Sequence, residues 1–150
     1  MHYNLLISQR CIILCNGFYL WKKTSKNQKT PYYFNYMKDK IMLCVGIKEK
    51  YEDFEGNTFN YFSFISKKSS NEWKEFSDTI PFVLDFNNIN LWFDKNKRFD
   101  EILDLIYQPE ISSFNYYTVS PFIKDLSYND KKLISPKNTS NQHGNYSLFD

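Results

Sequence analysis

The sequence predicts a strand-rich α+β fold, and three observations carry that reading. Apolar and aromatic runs are short, and polar, Gly- or Pro-containing stretches separate them, as expected of strands and their connections. Helical spacing is sustained only once, at Phe99, Ile102, Leu103 and Ile106. The length, 150 residues, suits one compact domain that can bury a core without disulfides or metals. No internal repeat and no second domain is expected.

In chain order, Arg10–Leu14 and Gly17–Trp21 read as strands joined at Cys15-Asn16, and polar, basic Lys22–Thr30 as an exposed connection. Pro31–Tyr36 is an aromatic strand, Met37–Lys40 is turn-sized, and Ile41–Ile47 is an apolar strand. Residues 17–47 are therefore expected to form a three-stranded meander. Lys48–Gly56 reads as a charged loop. Asn57–Ser66 is a strand with aromatics on both faces, packed on both sides or set at a crowded edge. Ser69 and Glu72 have capping-box spacing ahead of Trp73 and Phe76, which predicts a helix. Ile80–Leu84 is a short strand, Asp85 caps a short helix carrying Ile89, Leu91 and Trp92, and Phe114–Val119 is a last strand. Leu133-Ile134 adds a final apolar touch, and residues 137–150 form a polar tail expected to be disordered.

Nineteen Lys+Arg against 17 Asp+Glu leave a net charge of only +2, which excludes a histone-like polycation but not a local basic patch. Ala is absent, and Lys, Asn, Ile, Tyr and Phe are abundant, the signature of an AT-rich coding sequence, so bulk composition carries little functional weight. No apolar stretch approaches the ~20 residues of a membrane-spanning helix. The N-terminus lacks the basic region and cleavage site of a signal peptide. Three cysteines cannot all pair within one chain, so a reduced, cytoplasmic protein is expected.

Several ordered motifs point to one family. The run RCIILCNGFYLWKK at 10–23 resembles the Arg-Cys, hydrophobic, Gly-Phe-Tyr-Glu-Trp-Lys-Lys segment of the SOS response-associated peptidase (SRAP) family, the abasic-site-processing proteins. Thr30-Pro31-Tyr32-Tyr33 sits where the family has Gln-Pro and two aromatics, and Leu43–Gly46 where it has an Ala-Gly strand. Phe62–Ser66 resembles a family strand, Phe76–Pro81 its His-Asp-Arg segment, Thr118–Ser120 its Pro-Val-Ser, and Leu133–Pro136 its Leu-Ile-x-Pro. The likeness covers residues 8–136. It implies a SRAP-like domain over 1–136, built of curved antiparallel sheets with two or three short helices and lacking the family's N-terminal strands. Such a loss leaves exposed sheet edge and apolar surface.

The resemblance also implies a chemistry. Family members bind single-stranded DNA. A cysteine following the initiator methionine condenses its α-amine and thiol with the aldehyde of an abasic site, giving a covalent protein–DNA linkage. A glutamate and a histidine move protons in that lyase chemistry, and the same cysteine is credited with autoproteolytic release of a propeptide. No cofactor is implied. This sequence departs at each role. Residue 2 is His2, the glutamate position holds Leu20, and the histidine position holds Ser77, with Thr79 in place of the arginine; Asp78 is kept. No catalytic residue of the family is intact, so a catalytically impaired member is expected. The alternatives are a non-catalytic DNA-binding remnant and a decaying gene product without activity.

Lys22, Lys23, Lys26 and Lys29, interleaved with Tyr19, Trp21, Tyr32 and Tyr33, combine phosphate-contacting charge with stacking surface. The cluster suits contact with single-stranded DNA, with Trp21 as a candidate base-stacking residue. It equally suits an ordinary solvated basic loop, and Trp21 equally suits core packing. Cys11 and Cys15 are spaced C-x3-C without a second ligand pair, so they and Cys44 read as buried strand cysteines and no metal site is expected. His2 and His143 read as solvated side chains. No membrane partner is expected, and the oligomeric state is left open.

Overall fold

The computed structural model describes residues 3–26, 28–36, 41–107 and 114–138. His2, His143, the Met37–Lys40 turn and most of the polar tail lie outside the described residues. The elements run α1 (Tyr3–Ser8), β1 (Arg10–Cys15), β2 (Phe18–Ser25), β3 (Gln28–Tyr36), β4 (Met42–Glu52), β5 (Thr58–Phe64), β6 (Ser66–Lys68), β7 (Thr79–Pro81), β8 (Val83–Leu84), α2 (Ile89–Phe93), α3 (Phe99–Tyr107) and β9 (Phe114–Thr118). The fold is α+β, made of open antiparallel sheets and short helices. Two compact units divide the chain. One takes residues 1–15, 41–69 and 79–112, the other 16–40, 70–78 and 113–150.

The first unit is a sheet ordered β1-β4-β5, with β8 also pairing β4 and a separate β6-β7 ladder. Leu6, Leu43, Val45, Ile65, Phe82, Leu84, Trp92, Ile102, Leu105 and Ile106 form its core. In α3, Ile102, Leu105 and Ile106 are buried, and the acidic pair Asp100 and Glu101 sits at the positive N-terminal end of the helix. Helix α1 was not anticipated. Its one decisive apolar residue, Leu6, is fully buried in the core, too little to give a period. Arg10, only 8% exposed, ties the unit together. Its Nε donates to the Trp92 carbonyl (2.6 Å), Nη1 to Leu6 (3.1 Å) and Nη2 to the backbone carbonyl of Asp94 (3.0 Å), and the guanidinium lies 5.7 Å from the centre of the Trp92 ring. One side chain thus satisfies carbonyls at the ends of two helices.

The second unit is the sheet β2-β3-β9. Register places Phe18, Leu20 and Lys22 of β2 opposite Phe34, Tyr32 and Thr30 of β3, and Tyr32 and Phe34 opposite Thr118 and Tyr116 of β9. Trp73 and Phe76 cover this face. Phe34 lies 5.3 Å from Trp73 and 5.2 Å from Phe76, ring centre to ring centre, mostly in the tilted and edge-to-face geometry that aromatic quadrupoles favour. Gly17 is required where β2 begins, because a Cβ there would lie 2.3 Å from the Tyr33 ring and 2.5 Å from the Phe34 carbonyl oxygen.

Several sequence expectations are corrected. Lys22–Thr30 is not a loop: β2 and β3 run through it and turn around Lys26. The 17–47 meander does not form, because β4 pairs β1, β5 and β8 rather than β3. Lys48–Glu52 continues β4, leaving a turn at Asp53–Asn57. The capping-box helix is a run of turns in which the Trp73 and Lys74 amides both reach Ser70 O; the segment is too short to propagate, and burial of Trp73 and Phe76 sets its shape instead. In addition β5, expected to be packed on both sides or set at a crowded edge, does end the sheet order, pairing only β4 among the described residues, but it is exposed at every residue. The Ile80–Leu84 strand is split, with Phe82 donating to Ile65 O and accepting from Val45 N. Asp85 does accept from the Asn87 amide (2.8 Å), but the turn it caps is 3-10, followed by α2. Lys137, at the start of the expected tail, donates its amide to Thr118 O (2.9 Å). Among the described residues no helix is long and apolar enough to cross a membrane.

Candidate nucleic-acid interface

The β2–β3 hairpin sorts the candidate residues onto two faces, because strand side chains alternate. Leu20 and Lys22 lie on the face covered by Trp73 and Phe76. Leu20 is 9% exposed, opposite Tyr32. The Lys22 ammonium is 2.6 Å from a Glu75 carboxylate oxygen and 5.5 Å from the Phe76 ring centre. The hydrogen bond to Glu75 raises the Lys22 pKa, against a smaller opposing effect of burial. Lys22 is therefore committed within its own unit. Tyr32 is on this face too, with its ring 5.1 Å from Phe76.

Trp21 and Lys23 lie on the opposite face, across from Pro31 and Lys29. Trp21 is half-buried, and its Nε1 donor is itself buried without a hydrogen-bond partner among the described residues. Lys23 and Lys29 are register partners, both exposed, and neither makes an ion pair among the described residues. Directly opposed like charges destabilise a strand pair. Lys26 is exposed at the turn. An irregularity between Lys23 and Ser25 places one extra residue in β2, the kind of bulge that re-aims side chains at a hairpin end. The same face continues into tyrosines: Tyr19 lies 5.2 Å from Tyr33, and Tyr33 5.8 Å from Tyr117. Tyr117 went unremarked in the sequence. The alternation Phe114, Tyr116, Thr118 against Asn115, Tyr117 is the signal that assigns it to this face.

Ser77 is half-buried, with its amide donating to Trp73 O (3.1 Å), and Asp78 is exposed. The three thiols are free; only Cys44 is buried, whereas Cys11 and Cys15 are half-buried, contrary to the expectation that all three are buried. Burial pushes the Cys11 thiol up, against the attraction of Lys48. Cys44 is pushed up to about 12, by burial first and then by the neighbouring Cys15. Such thiols are protonated at neutral pH and poor nucleophiles. No group of three or more His, Cys, Asp or Glu poised to hold a metal occurs among the described residues.

Comparison with known proteins decides the family. Residues 1–126 match the pattern of the SOS response associated peptidase (SRAP) family. This chain is a SRAP family member. It is 26% identical over 130 residues to the abasic site processing protein YoqW of Bacillus subtilis, an alignment that covers 86% of the chain and 58% of that relative. Against the abasic site processing protein HMCES of Rattus norvegicus it is 22% identical, covering 85% of the chain and 43% of the relative. The chain thus spans little more than half the length of the first of these relatives. A crystal structure of a protein from Bacteroides thetaiotaomicron has the same fold, with TM-score 0.81, 19% identity, and coverage of 90% of this chain and 60% of that one.

Proposed function

We propose that this SRAP member contacts single-stranded DNA containing abasic sites through the exposed, lysine-bearing end of the β2–β3 hairpin and does not crosslink to it. The observation that carries the reading is the Lys23–Lys29 pair. Two cations held opposite each other without a carboxylate are relieved by a bound anion, and successive phosphates of a strand supply one. Lys26 extends the charge to the turn. Trp21, half-buried, offers the solvent-facing part of its ring as stacking surface beside it. Because Lys22 is held by Glu75, the contact set is Lys23, Lys26 and Lys29.

The loss of crosslinking rests on the positions matched to the family. Leu20 and Ser77 occupy the acid–base positions, and neither is a carboxylate or an imidazole able to move a proton in imine chemistry at neutral pH. Burial raises the pKa values of Cys11 and Cys44, which makes these thiols weak nucleophiles.

Two gels test the proposal. On a denaturing gel with single-stranded DNA carrying one abasic site, no heat-stable shifted band is expected, and such a band overturns the loss of crosslinking. On a native gel the protein is expected to retard single strands. The triple change Lys23→Gln, Lys26→Gln, Lys29→Gln should reduce the slope of log affinity against log salt by about 2, at ~0.7 per phosphate contact. An unchanged slope removes the hairpin as the interface. No retardation at all favours the inactive gene product.

A further inference from the structure

A second basic feature lies in the other compact unit, apart from the hairpin residues. A cavity of about 560 Å³ is lined by Ile7, Ser8, Arg10, Lys48, Phe93 and Lys95. Its volume falls within the range of small-molecule sites. Three of the six lining residues are cations, and none is a carboxylate. Arg10 is more than nine-tenths buried and held rigidly by three backbone carbonyls, which use three of its five N–H groups. Lys48 and Lys95 are exposed and make no ion pair among the described residues. Asp94 is the acidic group whose charge Arg10 feels, but its carboxylate is folded into its own turn, accepting from the Asn96 amide at 2.9 Å. Phe93, half-exposed at the end of α2, offers a flat apolar surface on the same cavity.

We infer that this cavity binds a nucleoside phosphate ester, with the phosphate between Lys48 and Lys95 over the fixed charge of Arg10 and the base against Phe93. Arg10 is already oriented, so little order is lost when the anion arrives. The two lysines supply mobile point charges that close on the phosphate. Aromatic–base contact adds selectivity for a nucleoside over a bare oxyanion. The same chemistry is presented by a free nucleotide and by one unit of a polynucleotide strand.

Thermal unfolding of the full chain at increasing thymidine 5′-monophosphate, inorganic phosphate, thymidine or the dinucleotide TpT tests this, since a ligand that binds only the folded state raises Tm with concentration. Thymidine 5′-monophosphate or TpT should raise Tm at lower concentration than inorganic phosphate, and thymidine should have no effect. A stronger response to TpT, whose phosphate is a diester, identifies a strand as the source; a stronger response to the monophosphate identifies a free nucleotide. The exposed double variant Lys48→Gln, Lys95→Gln should keep the unliganded Tm and lose about tenfold or more in affinity. Lys23→Gln, Lys29→Gln should keep the response, which separates this site from the hairpin reading. No Tm rise with either ester, an equal rise in the Lys48/Lys95 variant, or equal protection by inorganic phosphate each overturns the proposal.

Discussion

The two β-hairpins of this chain use their aromatic residues and their turns in opposite ways. In β2–β3 the aromatic side chains of one face are buried: Phe34 is fully enclosed among Phe18, Trp73, Phe76 and Tyr116. In β4–β5 they are on the surface, with Phe59, Tyr61, Phe62 and Phe64 all exposed. The turns reverse the contrast. The β4–β5 turn closes its own hydrogen bonds: Asp53 Oδ1 accepts from the amides of Glu55 (2.9 Å) and Asn57 (2.8 Å), Oδ2 accepts from Asn57 Nδ2 (3.0 Å), and Gly56 takes the positive φ of 84°. The β2–β3 end instead places Lys23 against Lys29 and leaves Lys26 at the turn. A well-seated sheet carrying an uncompensated charged end is an arrangement in which surface charge is free to be used on a partner. A self-satisfied turn on an exposed strand contributes local order and no charge to recognition.

The largest expected effect breaks the buried side of this contrast. Phe34→Ala should cost about 3–5 kcal/mol through lost burial and the cavity left between Trp73 and Tyr116, whereas Phe62→Ala should stay within about 0.5 kcal/mol. Urea denaturation of both variants checks this, and equal losses would erase the distinction between the hairpins. A smaller effect sharpens the charge argument. Lys29→Glu should stabilise the hairpin by about 0.2–1 kcal/mol at low salt, because it places opposite charges across the strand pair, while weakening binding to single-stranded DNA. Destabilisation, or unchanged DNA binding, would show that the opposed lysines are not the operative feature.

The smallest effect concerns pH. The Asn57 side chain, followed by its backbone amide, holds the Asp53 carboxyl below its ordinary range. A carboxyl whose folded pKa is depressed adds stability above its unfolded pKa, and that stability disappears as pH falls through the folded value. The gap in Tm between wild type and Asp53→Ala seen at pH 7 should therefore narrow below about pH 4. Lys26→Ala, at the other turn, should show no such gap at either pH.

The same contrast explains what the sequence could reveal. Elements with a clear apolar signal were readable: Phe99–Tyr107 keeps helical spacing, and β1 and β9 fall almost where apolar runs place them. The outer part of β2–β3 was not, because its described residues from Lys23 to Lys29 are all exposed, and a strand without a buried face has no alternation to read. The pairing of β4 was also illegible. Its partners β1, β5 and β8 are chosen by long-range burial around Val45 and Leu84, and adjacency along the chain favoured the wrong neighbour. In the candidate interface the residues were found but their faces were not. Lys22 and Tyr32 turned inward to Glu75 and Phe76, facts that depend on where residues 70–78 return. Arg10 stood in plain view as part of a motif, yet nothing local shows that it reaches carbonyls more than 80 positions away.

The first unit is assembled from three separate stretches, with residues 16–40 and 70–78 of the second unit between them. During synthesis neither unit can close early. Leu6 waits for Ile102 to Ile106, and β3 waits for β9, so both cores are completed only when the last third of the chain has left the ribosome. Until then the aromatic strands of β5 and β2–β3 are exposed together in the nascent chain. Production of this protein should accordingly respond to chaperone supply and to growth temperature more than to changes at its surface, and cutting the chain at any loop between the two units should yield fragments that fold only when both are present.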